Sequence, residues 1–329
     1  MGWWLGFRAR PGIFKVPLTV PRTVVAELTQ FGLLHFSGDD AQSFLHGQLS
    51  CDVAGLAPGH AIYGSYNTPK GRMLASFLLW RDDAGFVMQL PRALCEPIRK
   101  RLSMYVLRSK VKVRDASDEF ALIGVASADV DALLQPLFPS LPVGPLTMIA
   151  GVSANLLRLD EARLLIVATP ARGREIRDAL LKNADLASEK AWDLTNIHAG
   201  IPFITPATQD QFVPQMANLD LLGGVSFTKG CYPGQEIVAR MHYLGKLKQR
   251  MYLAHIAGDV APQPGDKLYS TATGDQAAGM VVNAAPSPEG GQDVLAVLQT
   301  ASFDGGDAHL ASTDGPRLKF FALPYKIPA

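Results

Sequence analysis

The sequence predicts an α+β protein of two or three compact units, the last of them a small antiparallel β barrel or sandwich. Three observations predict it. The chain has 329 residues, 48% of them hydrophobic and only 19% charged, which is enough to bury a sizeable core and too apolar for extensive disorder. Up to about residue 245, strand-like runs alternate with helical patterns. From Lys248 onward, short strands follow one another between Gly, Pro and Asp turns, the spacing of an all-β unit of about 80 residues.

Residues 1–30 contain prolines and little periodicity and read as a loosely structured lead-in. Leu33–Phe36 is a short strand. Ser37-Gly-Asp-Asp40 then offers N-cap chemistry to a helix whose Ala41, Phe44, Leu45 and Gln48 share one face. His60–Tyr66, Arg72–Trp80 and Gly85–Leu90 are strands separated by turn residues. Arg92–Leu107 is helical in pattern, with Pro97 expected to kink or restart it. Val111–Val113, Phe120–Ala126, Leu156–Leu159 and Arg163–Ala168 read as strands, and Arg172–Leu181 as an amphipathic helix. Another helix starts near Ser188, with Glu189 in its first turn, and stops at Gly200-Ile-Pro202. Phe203–Gly234 has no regular pattern, and loops of that length inside a compact domain are usually functional. The all-β part begins past a boundary near 245 and carries strands at Met251–Ile256, Lys267–Tyr269, Gly279–Asn283, Val294–Leu298 and Leu318–Leu323. The units are thus a lead-in (1–30), an α+β region (31–245) and a C-terminal β domain (246–329).

Composition excludes several function classes. Lys and Arg number 31 against 30 Asp and Glu, so the chain is neither a globally basic nucleic-acid glove nor an acidic solvating tail. No run approaches the roughly 20 apolar residues of a membrane span. Met1-Gly-Trp-Trp-Leu-Gly-Phe-Arg8 lacks the basic start, long apolar core and cleavage site of a signal peptide. A cytoplasmic protein with no membrane partner is expected. Cys51, Cys95 and Cys231 are odd in number and far apart, which fits neither a disulfide framework nor a metal site. The histidines show no ligand spacing, and no metal is expected.

The chemistry concentrates in Phe227–Arg240. Gly230, Pro233 and Gly234 make a tight turn before a helix beginning at Gln235. Cys231 sits just ahead of that helix and two residues from Lys229; the helix dipole and an ammonium would both favour its thiolate. The plainer alternative, a packed cysteine beside turn glycines, is weakened by the crowding of Lys229, Gln235, Glu236 and Arg240 around it. Upstream, Gln215 and Asn218 carry amides suited to reading the edge of a planar heterocycle, or simply to capping turns. Asn67-Thr-Pro-Lys-Gly-Arg72, between two strands, adds Asn67, Lys70 and Arg72, either a carboxylate-binding tip or an ordinary solvated hairpin. The basic stretch Lys246-Leu-Lys-Gln-Arg250 reads as a connector between domains.

At these residues the sequence resembles the YgfZ family, folate-binding relatives of the glycine-cleavage T protein, an aminomethyltransferase. The signature Lys-Gly-Cys-Tyr-x-Gly-Gln-Glu stands intact as Lys229–Glu236. Supporting blocks are Gly38–Gln48, Lys70–Arg72, Ala199–Pro202, Val213–Leu219 and Tyr243–Lys246, so the likeness covers most of residues 30–250. The resemblance implies an α+β, three-domain ring of the glycine-cleavage T-protein type, with a C-terminal antiparallel β-barrel and a central folate-sized channel. It also implies tetrahydrofolate as cofactor and a role in iron–sulfur cluster assembly or repair, and through it in tRNA methylthiolation. Iron–sulfur assembly proteins or radical-SAM cluster enzymes would be the partners, with no direct nucleic-acid contact. Lys229 and Cys231 carry over as the catalytic pair, with Gln235, Glu236 and Arg240 as support and Gln215, Asn218, Asn67, Lys70 and Arg72 as folate-binding candidates.

One departure from the T protein stands out. Where its substrate loop carries paired aspartates for aminomethyl transfer, this chain has Ala75 and Ser76. An alanine can neither accept a proton nor pair with a developing iminium. Two rivals remain at the sequence level, a one-carbon transferase using the Cys231 thiolate and a non-catalytic adaptor for cluster enzymes.

Overall fold

The computed structural model describes residues 23–243, 245 and 247–328. The start of the lead-in, and Leu244 and Lys246 within the block and basic stretch that follow the motif, lie outside the described residues. In chain order the elements are β1 (Val24–Glu27), β2 (Phe31–Ser37), α1 (Ala41–Gln48), β3 (Ala61–Asn67), β4 (Met73–Asp82), β5 (Gly85–Pro91), α2 (Arg92–Ser103) and β6 (Lys112–Asp115). Then come β7 (Ala121–Ala126), α3 (Val130–Leu134), β8 (Thr147–Ile149), β9 (Ala154–Arg158), β10 (Arg163–Ala168), α4 (Pro170–Leu180) and α5 (Glu189–His198). Beyond a long irregular segment lie α6 (Gln235–Tyr243), β11 (Gln249–Ile256), β12 (Lys267–Tyr269), β13 (Gly279–Pro286), β14 (Gln292–Gln299), α7 (Thr300–Asp304), β15 (His309–Leu310) and β16 (Leu318–Phe321).

Three sheets organise these strands, in the orders β3-β4-β5-β2-β6, β1-β7-β10-β9-β8 and β15-β12-β13-β14-β11-β16. Their strand pairs are antiparallel. The first two sheets interleave along the chain, because β1 precedes the whole first sheet yet pairs with β7, Val24 opposite Ala126. The lead-in reading is corrected here: Val24, Val25 and Ala26 are buried in a strand. Four residues are too few to display a period, and the partner lies far down the chain. The third sheet curls into a half-barrel around Tyr252, Ala254, Leu268, Val281, Ala296 and Phe320.

Two further expectations change. Pro97 sits inside α2 without breaking it. The carbonyl it leaves without a donor is that of Ala93, an exposed residue, so water can take the place of the missing N–H. The helix also stops at Ser103 rather than running to Leu107, which adopts a left-handed φ of 46°. Asp40 precedes α1 but does not cap it; its Oδ2 accepts the Lys110 backbone N–H at 2.7 Å.

The segment 203–234 has neither helix nor strand and is held by bonds to the sheets around it. Met73 N donates to Phe212 O and Asp210 N to Met73 O, both at 2.8 Å. Ser76 Oγ accepts from Ile204 N and donates to Pro202 O. Asn283 of the C-terminal sheet grips the Phe203 backbone from both ends, at 3.0 and 2.9 Å. Nearby, the Asp293 carboxylate of β14 is shared by His198, at the end of α5, and His255 of β11. The irregular segment and α5 therefore fasten the first two sheets to the third. No helix among the described residues is long and apolar enough to cross a membrane.

Candidate functional site

The loop 226–234 crosses the C-terminal end of α1. Ser226 N donates to Ser50 O at 2.9 Å, Ser50 Oγ to Gly224 O at 2.6 Å, and Lys229 N to Ser226 Oγ at 3.2 Å. The Lys229 ammonium then enters a cage of carbonyls: His46 O, Leu49 O at 2.5 Å and Cys51 O at 3.1 Å. The end of a helix leaves its last carbonyls without intrahelical donors and carries partial negative charge, so a lysine there satisfies both. The ring of Tyr232 lies 4.9 Å from the same nitrogen, a cation–π contact. Burial pulls the Lys229 pKa down to about 8, with Asp52 among the groups opposing it.

This placement changes the role read for Lys229. Its ammonium is tied to α1 beside buried Cys51, whose thiol burial pushes up to about 12, and not to Cys231. Cys231 is exposed, and Tyr232, Pro233 and Gly234 separate it from the first residue of α6. Lys229 therefore anchors the loop that presents the thiol, and the geometry does not supply the ammonium as the activator of Cys231.

A glycine pair locks this loop to the Asn67–Arg72 hairpin. Gly71 and Gly234 have φ of +73° and +80°. A Cβ on Gly234 would lie 2.5 Å from Gly71 Cα and from Thr68 O, so the close approach needs glycine as much as the backbone angle does. The contact brings Lys70 and Arg72 beside the start of α6. Lys70 is exposed. Arg72 is also exposed, and its Nη1 donates to Gln211 O at 2.6 Å, which staples the hairpin to the long segment.

The remaining candidates divide into two groups. Gln235 Nε2 reaches Lys229 O at 3.5 Å, while Glu236 and Arg240 sit on the outward face of α6. Gln215 and Asn218 are buried clamps: Gln215 Nε2 donates to Val238 O at 2.6 Å and Asn218 Nδ2 to Met251 O at 2.8 Å. Their other amide ends, Gln215 Oε1 and Asn218 Oδ1, have no protein partner. Asn67 is 2% exposed with both side-chain polar atoms unpartnered, and Gln48 Oε1 and the Tyr232 hydroxyl are likewise unmatched. Buried polar atoms are nearly always paired, so this concentration of orphans is a feature of the region. Ala75 and Ser76 are both buried in β4, and Ser76 serves as the fastener described above.

Where the first sheet, the second sheet and α5 meet, Tyr63, Leu78, Gln89, Leu165, Trp192 and Asn196 are among the residues lining a hollow with room for about one water. Asn196 Nδ2 has no partner there, its Oδ1 being taken by Arg163 at 2.8 Å. Sequence reasoning left His46, Leu49 and Cys51 out of the site, although their place at the end of a helix, where carbonyls lack intrahelical donors, is a usable signal. Among the described residues no group of three or more His, Cys, Asp or Glu is placed to hold a metal ion.

The chain is similar to the tRNA-modifying protein YgfZ of Klebsiella pneumoniae, with 30% identity over 315 residues, 95% of this chain and 94% of that protein. It is similar to the tRNA-modifying protein YgfZ of Shigella boydii, with 31% identity over 95% of both chains. No family model matches the chain. Among solved structures it is similar to the glycine cleavage system aminomethyltransferase T of Bartonella henselae. That match has a TM-score of 0.74 and 15% identity and covers 94% of this chain and 90% of that one. At such identity the likeness establishes a shared fold.

Proposed function

The chain belongs to the YgfZ family, and from that premise we propose that it serves tRNA modification as a folate-binding protein supporting iron–sulfur cluster enzymes. Asn67 carries the folate part of this reading. A buried amide with a free acceptor and free donors is a complementary pair for the ring N–H and carbonyl edge of a pterin. The orphan acceptors on Gln48, Gln215 and Asn218 are further unmatched polar groups, none of them on the wall of the hollow beside Trp192. That hollow has room for about one water, so the expected folate-sized channel is not open there. The donor–acceptor chemistry of Asn67 is what fits a pterin edge, and a bound folate would supply a carrier of one-carbon units. Lys70, exposed at the hairpin tip, is placed for an anionic tail.

Aminomethyl transfer of the T-protein kind is disfavoured because Ala75 and Ser76 put no carboxylate on this part of β4, and the Ser76 hydroxyl already has partners on both sides. The reactive element is the exposed Cys231 thiol, presented by a loop that Lys229 and the Gly71–Gly234 contact hold rigid. The natural partners on this reading are radical-SAM enzymes or cluster-assembly proteins.

The test pairs two variants. Cys231→Ala is expected to abolish complementation of a tRNA-methylthiolation defect while folinic acid still quenches Trp fluorescence with wild-type affinity. Asn67→Ala is expected to weaken that quenching about tenfold, the size of leaving a recognised polar edge unpaired. Full complementation by Cys231→Ala would refute the reactive role, and undiminished quenching by Asn67→Ala would refute the pterin assignment.

A further inference from the structure

We propose that the strip running from the Asn67–Arg72 hairpin, past Cys231, to the end of α6 binds single-stranded RNA, with an unpaired base stacked on its aromatic end. The proposal rests on the tRNA-modification reading and names the substrate that the same site would face.

Three rings gather at the surface where α6 ends. Phe227 and His242 are stacked, with centroids 3.7 Å apart and planes 14° from parallel. Tyr243 stands edge-on to both, at 6.3 and 4.8 Å, and is 65% exposed. A helix this short has one buried residue, Val238, and its opposite face carries Glu236, Arg240 and Tyr243 at the i, i+4, i+7 spacing, all exposed. Lys70, beside the first turn, and Arg240 take part in no ion pair among the described residues. Glu236, in the first turn, is the carboxylate of the strip and complements the helix dipole.

The dimensions suit a nucleic acid. The nine residues of α6 span roughly 14 Å, the length of about four stacked nucleotides at 3.4 Å each. Cations along a strip with aromatic rings at one end are the elements of single-strand recognition. An acidic protein would match the cations and leave the rings wet. A net charge near zero excludes a globally basic glove, but it leaves a local strip of this size allowed.

The test is fluorescence anisotropy at low salt, with unfractionated tRNA and with a short labelled oligoribonucleotide. The full-length protein is compared with H242A/Y243A, H242F/Y243F and R240A. Wild type is expected to bind both probes. H242A/Y243A is expected to bind about tenfold or more weakly, H242F/Y243F to retain affinity, and R240A to lower the salt-dependence slope by about one. Absence of wild-type binding, wild-type affinity in H242A/Y243A, or competition by polyglutamate as effective as by RNA would overturn the proposal. Folinic acid quenching on the same samples reports the folate reading separately. Quenching without RNA binding refutes the strip alone, and RNA binding without quenching refutes the folate site alone.

Discussion

The Arg250 guanidinium holds the Asp220 carboxylate by two hydrogen bonds, of 2.7 and 3.0 Å, and gives a third, of 2.7 Å, to Gln215 O. The pair joins the first strand of the C-terminal sheet to the irregular segment that carries Gln215 and Asn218, and both side chains are nearly buried. Asp220→Ala leaves that guanidinium without its counter-charge. It is expected to cost about 3–5 kcal/mol, measured by chemical denaturation.

Thiol chemistry separates the three cysteines. Cys231 is exposed, whereas Cys51 and Cys95 are buried, and burial pushes their pKa values up to about 12 and about 11. A chromogenic disulfide reagent is expected to titrate one thiol per native chain and three per denatured chain. Cys231→Ala should remove the native reaction and shift stability by no more than about 0.5 kcal/mol. Native labelling of Cys51 would show that the loop above it opens.

Asp293 sets an acid limb. Burial works to raise its pKa, but hydrogen bonds from His198 and His255 outweigh burial and hold it below the usual carboxylate value. A depressed folded-state pKa contributes stability that is present above the unfolded value of about 4 and lost as pH falls through the folded one. Asp293→Asn is expected to flatten the stability profile below about pH 4. An unchanged acid limb in denaturation curves would contradict the shared-carboxylate arrangement.

Lys229 acts in the opposite range. With its pKa lowered by burial to about 8, the unfolded chain binds more protons than the folded one from there up to the ordinary lysine value of about 10.4. Stability should therefore rise with pH across that window. Lys229→Met is expected to remove the rise and to loosen the loop, seen as faster hydrogen exchange at 226–234. A slope that survives the substitution would assign it to another group.

Gly124 faces the ring of Trp192, and an added Cβ would lie 2.5 Å from its Cε3 atom. Gly124→Val is expected to cost at least about 1–3 kcal/mol by overpacking and to shift the Trp emission, both read in one thermal melt. A neutral outcome would mean that the hollow beside Trp192 can absorb the displaced ring.

Much of this architecture is legible in sequence where the signal is local. Ser188 before Glu189 marks the start of α5, and its hydroxyl does accept from Ala191 N. Phe44 and Leu45 mark the buried face of α1. Long-range geometry is less legible. Lys229 stands two residues from Cys231 in sequence, but a flexible four-carbon stem takes its charge to whichever oxygens are unmatched, and those lie at the end of α1. Gln215, Asn218 and Arg72 are polar residues in loops, read as ligand groups; the loops they sit in need backbone partners, and these side chains supply much of that fastening. Asn67 reads the same way in sequence, and its burial with both polar atoms unpartnered is what only coordinates reveal.

The pairing of β1 with β7 bears on how the molecule is made. Val24 meets Ala126, so at usual synthesis rates the N-terminal strand waits about 5–20 s for its partner to leave the ribosome. In that interval the strands of the first sheet can assemble, while Val24, Val25 and Ala26 stay uncovered. The second sheet cannot be excised as one continuous stretch of chain, and a fragment beginning after β6 would present the open edge of β7 to its neighbours. Nascent chains stalled before β7 are accordingly the species that most need chaperone cover.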